Sequence, residues 1–230
     1  MIIETKKLIN FLSTVRMNEL EIVKLRFEEE GLKVVSDSNA NTHQVNAFLL
    51  KKAFIEYEPI GNVGVDDLSR LISVLKSLGD ETNFSVDGNI LQLKNKNKKV
   101  EVELVSEKFV PTPQQSPNID FETTATIDSK DIKEVLNDIK NNKNAIIKIR
   151  TVDEGLEIMT KGKYTYTYRY DTKGTTAGVN VSFGNPLVNA LSQVNTGTVV
   201  LNLSSDAPVL VENQDGEFNC LFFVAPRTNE

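Results

Sequence analysis

The stretch 65-VDDLSRLISVLKSLGDETNFSVDGNILQLKNKNKKVEVELV-105 reads as one complete folding unit. Leu68, Leu71, Ile72, Leu75 and Leu78 recur at three- and four-residue spacing, the apolar stripe of an amphipathic helix. Gly79 follows as its C-cap. Three strand-like runs come next: 82-TNFSV-86, 90-ILQLK-94 and 99-KVEVELV-105. Asp87-Gly88-Asn89 and Asn95-Lys96-Asn97 separate them, and an Asp-Gly between alternating runs predicts a hairpin. The unit is one helix followed by a three-strand meander.

The unit recurs along the chain. Residues 128–144 carry Ile132, Val135, Leu136 and Ile139 on one helical face, ahead of 145-AIIKIRT-151, 156-LEIMT-160 and 163-KYTYTYRY-170. Residues 5–17 carry Leu8, Leu12 and Val15, ahead of 21-EIVKLRF-27, 32-LKVVS-36 and 44-QVNAFLL-50. Residues 186–194 carry Leu187, Val188, Leu191 and Val194, with Pro186 at the helix start, where proline is tolerated. The strands 198-TVVLNLS-204, 208-PVLVE-212 and 217-EFNCLFFV-224 follow. Extra strand-like runs, 53-AFIEYEPI-60 and 178-GVNVSF-183, precede the second and fourth helices.

The four units pair into two similar halves. The join, 106-SEKFVPTPQQSPNID-120, holds three prolines and reads as an extended linker. The expected fold class is α+β: two pseudo-symmetric domains, 1–105 and 121–230, around a linker over 106–120. Each has two helices on one side of antiparallel sheets and eight or nine strands. Another α+β protein built of hairpins would show the same unit, so the pattern alone leaves that alternative open.

Composition narrows the function classes. The chain has 230 residues, 40% hydrophobic and 25% charged, an ordinary globular balance. No apolar run reaches the roughly 20 residues that cross a bilayer, and the start MIIETKKLINFL lacks the order of a signal peptide. No membrane partner is expected. The single cysteine, Cys220, fits a reducing cytoplasm or nucleus rather than secretion. One Cys and one His make a zinc site of the usual ligands unexpected, and no metal or other cofactor is expected. There is no phosphate loop, nucleophile elbow or His-x-Glu spacing, so the chain does not read as an enzyme. Asp66-Asp67 falls at a helix start, where the macrodipole accounts for it. The net charge of −6 argues against nucleic-acid binding unless the charges segregate.

At this point the residues resemble the sliding clamps of DNA replication, the proliferating cell nuclear antigen (PCNA) family. The first-domain pattern of that family appears as Gly31-Leu32, Asp37 and His43-Gln44-Val45, with a slightly longer gap. The second-unit pattern appears as Phe54, Tyr57, Gly64-Val65, Leu71 and Leu75-Lys76. The C-terminal pattern appears as Ser204, Asp206, Pro208, Val209 and Val211-Glu212, then Phe222-Phe223-Val224-Ala225-Pro226-Arg227. The resemblance spans nearly the whole chain and is most specific at its end. The short loops favour a viral or phage member.

The resemblance implies a DNA clamp fold and a processivity factor: a homotrimeric ring around duplex DNA that tethers DNA polymerase and other replication and repair factors. It also implies a clamp loader ATPase to open the ring. Helices would line the hole. The four helical segments together carry +3 within a chain of −6, so the segregation has the required sign. The lining candidates are Lys6, Lys7, Asn10, Arg70, Lys76, Lys130, Lys133, Asn137, Lys140, Asn189 and Gln193; ordinary solvated helix faces are the alternative. A hydrophobic partner pocket under the linker would take Phe109, Val110, Ile119, Pro208, Phe222, Phe223, Val224, Ala225 and Pro226. The alternative there is an edge strand with Phe222 and Phe223 on opposite faces.

Ring closure would add an edge strand of one subunit to that of the next. Val100, Val102 and Leu104 would meet Tyr164, Tyr166 and Tyr168 of the neighbour. Two other readings stay open, a subunit of a hetero-oligomeric clamp-like ring and a β-rich assembly protein.

Overall fold

The structure is a computed structural model that describes residues 1–16, 21–38, 40–140, 142, 146–194, 197–214 and 216–227. The expected helix ends at Met17 and Asn144 and the expected strand start at Ala145 lie outside these residues. The chain forms two compact units. One comprises Met1–Asn39, Val45–Gln114 and Gly216–Cys220, the other Ala40–Gln44, Gln115–Asp215 and Leu221–Glu230.

The first unit begins with β1 (Ile2–Glu4), α1 (Thr5–Val15), β2 (Val23–Glu28), β3 (Gly31–Asp37) and β4 (His43–Leu50). It continues with β5 (Phe54–Glu56), β6 (Gly61–Val65), α2 (Leu68–Lys76), β7 (Glu81–Asp87), β8 (Ile90–Lys94) and β9 (Lys99–Glu103). One sheet has the order β5-β1-β7-β8-β9, and β4-β3-β2-β6 lie side by side in another. The hairpin predicted at Asp87-Gly88 is present, with Asp87 opposite Ile90 and Gly88 at φ +59°. Leu8, Phe11, Leu12 and Val15 of α1, and Leu68, Leu71, Ile72 and Leu75 of α2, are buried. Each contributes roughly 1.5–3 kcal/mol by leaving water.

α2 starts at Leu68, the first residue of its apolar pattern, because Asp67 caps it. The Arg70 N–H donates to Asp67 Oδ1 at 2.7 Å. The neighbouring donors are satisfied by Glu21: Leu68 N–H meets its carbonyl at 3.0 Å and Ser69 N–H its carboxylate at 2.8 Å. Ser69 Oγ also donates to that carboxylate at 2.6 Å. The first donors of the helix thus find partners, with anionic carboxylates where the helix dipole favours them.

The second unit holds β10 (Thr123–Asp128), α3 (Ser129–Lys140), β11 (Ile146–Val152), β12 (Gly155–Lys161), β13 (Thr165–Asp171) and β14 (Asn180–Phe183). Then come α4 (Asn185–Ser192), β15 (Thr198–Leu203), β16 (Val209–Gln214) and, from Leu221 on, β17 (Phe218–Val224). The order β13-β12-β11-β14 makes a four-stranded sheet, and β10-β15-β16-β17 lie side by side. The chain is α+β with four helices and antiparallel sheets among the described residues, as the repeat predicts.

Three strands escape the sequence pattern. β1 is three residues long and runs straight into a helix. β6, Gly-Asn-Val-Gly-Val, is glycine-rich, and β10 is half threonine. The expected strand 53–60 resolves into β5 alone. Tyr164 and Leu104 fall outside their expected strands. Asn142 takes up the Tyr164 backbone, accepting from its N–H at 3.2 Å and donating to its carbonyl at 2.7 Å.

Candidate functional site

Each helix packs an apolar face inward and leaves a polar stripe exposed. On α1 the stripe is Lys6, Asn10 and Ser13; on α2 it is Arg70, Ser73 and Lys76. On α3 it is Lys130, Lys133, Asn137 and Lys140, with Glu134 the acid among them. α4 offers Asn189 and Gln193, both half-buried. Ser13 and Ser73 were not anticipated, although three-residue spacing from Asn10 and Arg70 gives them away.

Lys7 departs from this stripe. Its ammonium sits 2.8 Å from Glu217 and 3.5 Å from Glu4, and the hydrogen bond to Glu217 raises its pKa. Its charge is therefore neutralised locally. Arg16 is likewise paired, 3.1 Å from Glu21.

α3 is neutral in sequence, yet its charges separate in space. Asp138 accepts a hydrogen bond from the Tyr168 hydroxyl of β13, and the Asp131 carbonyl accepts one from Tyr170 at 3.5 Å. Burial, then the bond to Asp138, pushes the Tyr168 phenol above its ordinary range. Burial and the nearby Asp131 push Tyr170 up to about 12. Asp131 and Asp138 thus line the flank toward β13, while Lys130, Lys133 and Lys140 stay on the exposed stripe.

The linker is fastened by residues near the ends of strands. In the first unit, Gln114 N–H donates to Asp37 Oδ2 at 2.5 Å. Val110 is buried, whereas Phe109, in a one-turn 3-10 helix, is 79% exposed. Val110, Pro111 and Pro113 border a cleft of about 280 Å³ with Ile22, Val23 and Val35. Gly64 meets the start of the linker, accepting from Val105 N–H at 3.0 Å. A Cβ on Gly64 would lie 2.4 Å from the Val105 carbonyl oxygen, so the close approach requires glycine.

In the second unit, Ser116 Oγ donates to Gln44 Oε1 at 2.6 Å. The chain end is stapled by Ala225 N–H to Thr42 O at 2.9 Å and Arg227 N–H to Ser182 O at 2.8 Å. Phe222 and Val224 are fully buried. Their side chains belong to the core, and Phe223, Ala225 and Pro226 provide the accessible part of the tail, with Pro208 and Ile119 also half-exposed. Phe222 and Phe223 do alternate faces. His43 is buried, with Thr42 Oγ1 3.1 Å from its Nδ1.

β9 and β13 are the outermost strands of their sheets. Val100, Val102 and Leu104 are half-buried on β9 and just beyond it. Tyr166 and Tyr168 are half-buried on β13, and Tyr164 is exposed in the turn before it. Among the described residues no group of three or more His, Cys, Asp or Glu is placed to hold a metal ion. No helix among them is long and apolar enough to cross a membrane.

The fold is matched in solved structures. The structure described as the C-terminal region of FEN-1 bound to A. fulgidus PCNA superposes with a TM-score of 0.89 at 18% identity, covering 100% of this chain and 98% of that one. The chain has the PCNA clamp fold. PCNA from Entamoeba histolytica matches at TM-score 0.83 and 17% identity, over 98% of this chain and 96% of that one. A PCNA2–PCNA3 complex from Sulfolobus tokodaii matches at 0.80 and 17%, over 99% of each. No protein-family model matches the chain. No curated protein matches it significantly. The PCNA fold is thus kept at an identity where sequence comparison fails, because the repeated helix-meander pattern constrains core positions rather than residue types.

Proposed function

We propose that the protein is a DNA polymerase sliding clamp: a homotrimeric ring that encloses duplex DNA and tethers replication proteins without catalysis or cofactor. The clamp fold over the whole chain carries this reading. The exposed stripes support it. Lys6, Arg70, Lys76, Lys130, Lys133 and Lys140 supply cations, and Asn10, Asn137, Asn189 and Gln193 supply amides, a sparse set suited to loose phosphate contact without base readout. Lys7 is left out of the lining because Glu217 and Glu4 hold it.

Ring closure is proposed through β9 of one subunit and β13 of the next, which would cover edges otherwise prone to open-ended pairing. Partner segments are proposed to dock by an apolar anchor on the linker at Phe109 and the cleft beside Val110, and on the tail at Phe223, Ala225 and Pro226. The A. fulgidus protein is described with a FEN-1 segment bound, and partners of that kind, with polymerase and a loader ATPase, are proposed here. The domains are proposed to divide at the linker 106–120, and the compartment to be cytoplasm or nucleus.

The test is retention on DNA. After loading, the protein should stay on nicked circular DNA and run off once the circle is linearised. Light scattering should give about 77 kDa, three times the 25.7 kDa chain. A monomer at every concentration would favour the hetero-oligomeric ring, a reading that the PCNA2–PCNA3 complex supports. Open-ended polymers would favour an assembly protein.

A further inference from the structure

The two edge strands carry enough pattern to fix how two copies join. Leu104 N–H donates to Asn89 O at 2.8 Å and Asn95 N–H to Lys98 O at 2.9 Å. Even-numbered residues of β9 therefore bond inward to β8, and Lys99, Glu101 and Glu103 aim their backbone groups at the free edge. On β13, Thr172 N–H donates to Glu154 O at 2.9 Å and Gly162 N–H to Tyr164 O at 3.2 Å. Odd-numbered residues there, Thr165 to Asp171, face the free edge in the same way.

Side chains agree with the backbone. Val100 and Val102 alternate with exposed Lys99, Glu101 and Glu103, and Tyr166, Tyr168 and Tyr170 alternate with exposed Thr165, Thr167, Arg169 and Asp171. An antiparallel joint that matches faces must pair odd with odd, because a one-residue slip would turn every side chain over. The nearest alternatives slip by two residues, and charge distinguishes them. With Lys99 opposite Asp171, Glu101 falls opposite Arg169 and Glu103 opposite Thr167. Slipping β9 one way sets Lys99 against Arg169; slipping it the other sets Glu101 against Asp171 and Lys99 against Lys173. Both create like-charge contacts, which oppose pairing.

We propose that β9 of one copy pairs with β13 of a second copy in this single register, Lys99–Asp171, Glu101–Arg169 and Glu103–Thr167. The inference rests on the ring reading above and adds the register and the charges that select it. The joint would extend a row already present within the chain. Arg169 Nε lies 2.7 Å from Glu157 Oε1, and Arg150 Nη1 lies 3.9 Å from Glu157 Oε2. Glu101, Arg169, Glu157 and Arg150 would then alternate in sign across the boundary. Glu101 is held in the single chain by Lys99 at 2.6 Å, so both acids have a cation on each side after joining. On the opposite face Val100 would meet Tyr170 and Val102 would meet Tyr168.

Paired cysteines test the register. Directly opposed residues approach closely enough for a disulfide, whereas diagonal neighbours about 7–8 Å apart do not. Glu103→Cys with Thr167→Cys should give covalent oligomers on mild oxidation, read on a non-reducing gel. Glu103→Cys with Thr165→Cys should give at least tenfold less. Cys220 is buried and does not compete. Cross-linking of the second pair in place of the first would overturn the register while leaving the ring intact. Failure of both pairs in a protein that light scattering finds trimeric would overturn this register, since the remaining slip sets Glu103 opposite Arg169. A monomeric unmodified protein would overturn the ring reading and the register together. As a second measurement, Glu101→Arg should weaken assembly, raising its dissociation constant at least tenfold, and adding Arg169→Glu should lower it again; no effect of Glu101→Arg would overturn the charge selection.

Discussion

The Tyr168 hydroxyl on β13 donates a hydrogen bond to the Asp138 carboxylate on α3. That bond turns an acid of the helix toward the sheet and leaves its lysines on the exposed stripe. Tyr168→Phe removes the donor and leaves a half-buried carboxylate without it. The expected loss is about 1–2 kcal/mol, read as a lower urea midpoint at unchanged slope. Asp138→Asn retains an acceptor and should cost less.

The α3 stripe makes a quantitative prediction for DNA. Each lysine that contacts phosphate adds about 0.9 to the slope of log affinity against log salt. Lys130→Ala with Lys140→Ala should lower that slope by about 1.8, measured by fluorescence anisotropy on a short duplex. Lys7→Ala should leave the slope unchanged, since Glu217 and Glu4 already hold that charge.

Glu21 gives the stability of the first unit an acid limb. Hydrogen bonds from Ser69, side chain first, hold its carboxyl below the ordinary 4.5, with Arg16 adding to the shift. A depressed folded pKa means the contribution is complete above the unfolded value and disappears as pH falls through the folded one. Stability should therefore drop below about pH 4.5. Glu21→Gln should be less stable at pH 7 and flatter across the acid limb in urea titrations repeated at several pH values.

At Gly64 the backbone of β6 comes too close to Val105 for any side chain. Gly64→Ala should destabilise the protein by about 1–3 kcal/mol through forced displacement, and thermal unfolding would register it as a lower Tm. Gly61→Ala is the comparison, with nothing near its missing Cβ but a φ of +80°. It should lose about 1 kcal/mol from backbone strain alone.

Among the described residues Phe109 is the most exposed large apolar side chain. Phe109→Ala should leave the urea midpoint unchanged. It should weaken binding of a labelled peptide carrying an aliphatic plug beside two aromatics by about tenfold, as expected for loss of an anchor contact. An unchanged affinity would remove the linker from the partner surface.

Much of this was written in local sequence. Apolar spacing alone gave the four helices, because a 3.6-residue period can bury only one face. Alternation and the Asp-Gly turn gave the meanders, and the prolines gave the linker. The strands that escaped, β1, β6 and β10, are short, glycine-rich or threonine-rich, and they exist because neighbours supply their hydrogen bonds: Thr123–Asp128 is paired along its whole length by Thr198–Leu203.

Only the tertiary structure could sort the charged and aromatic residues. Lys6 and Lys7 are adjacent in the chain, yet one is exposed and the other is tied to Glu217, 210 residues away. Phe222 and Phe223 are adjacent too, and one is core while the other is half-exposed. Periodicity identifies a face but not what it meets, since a side chain's partner comes from a distant strand whose position is set by the packing of the whole unit. Local pattern set which elements form and where they turn; their packing decided which lysines stay exposed, which phenylalanine is accessible, and which strands are left at an edge.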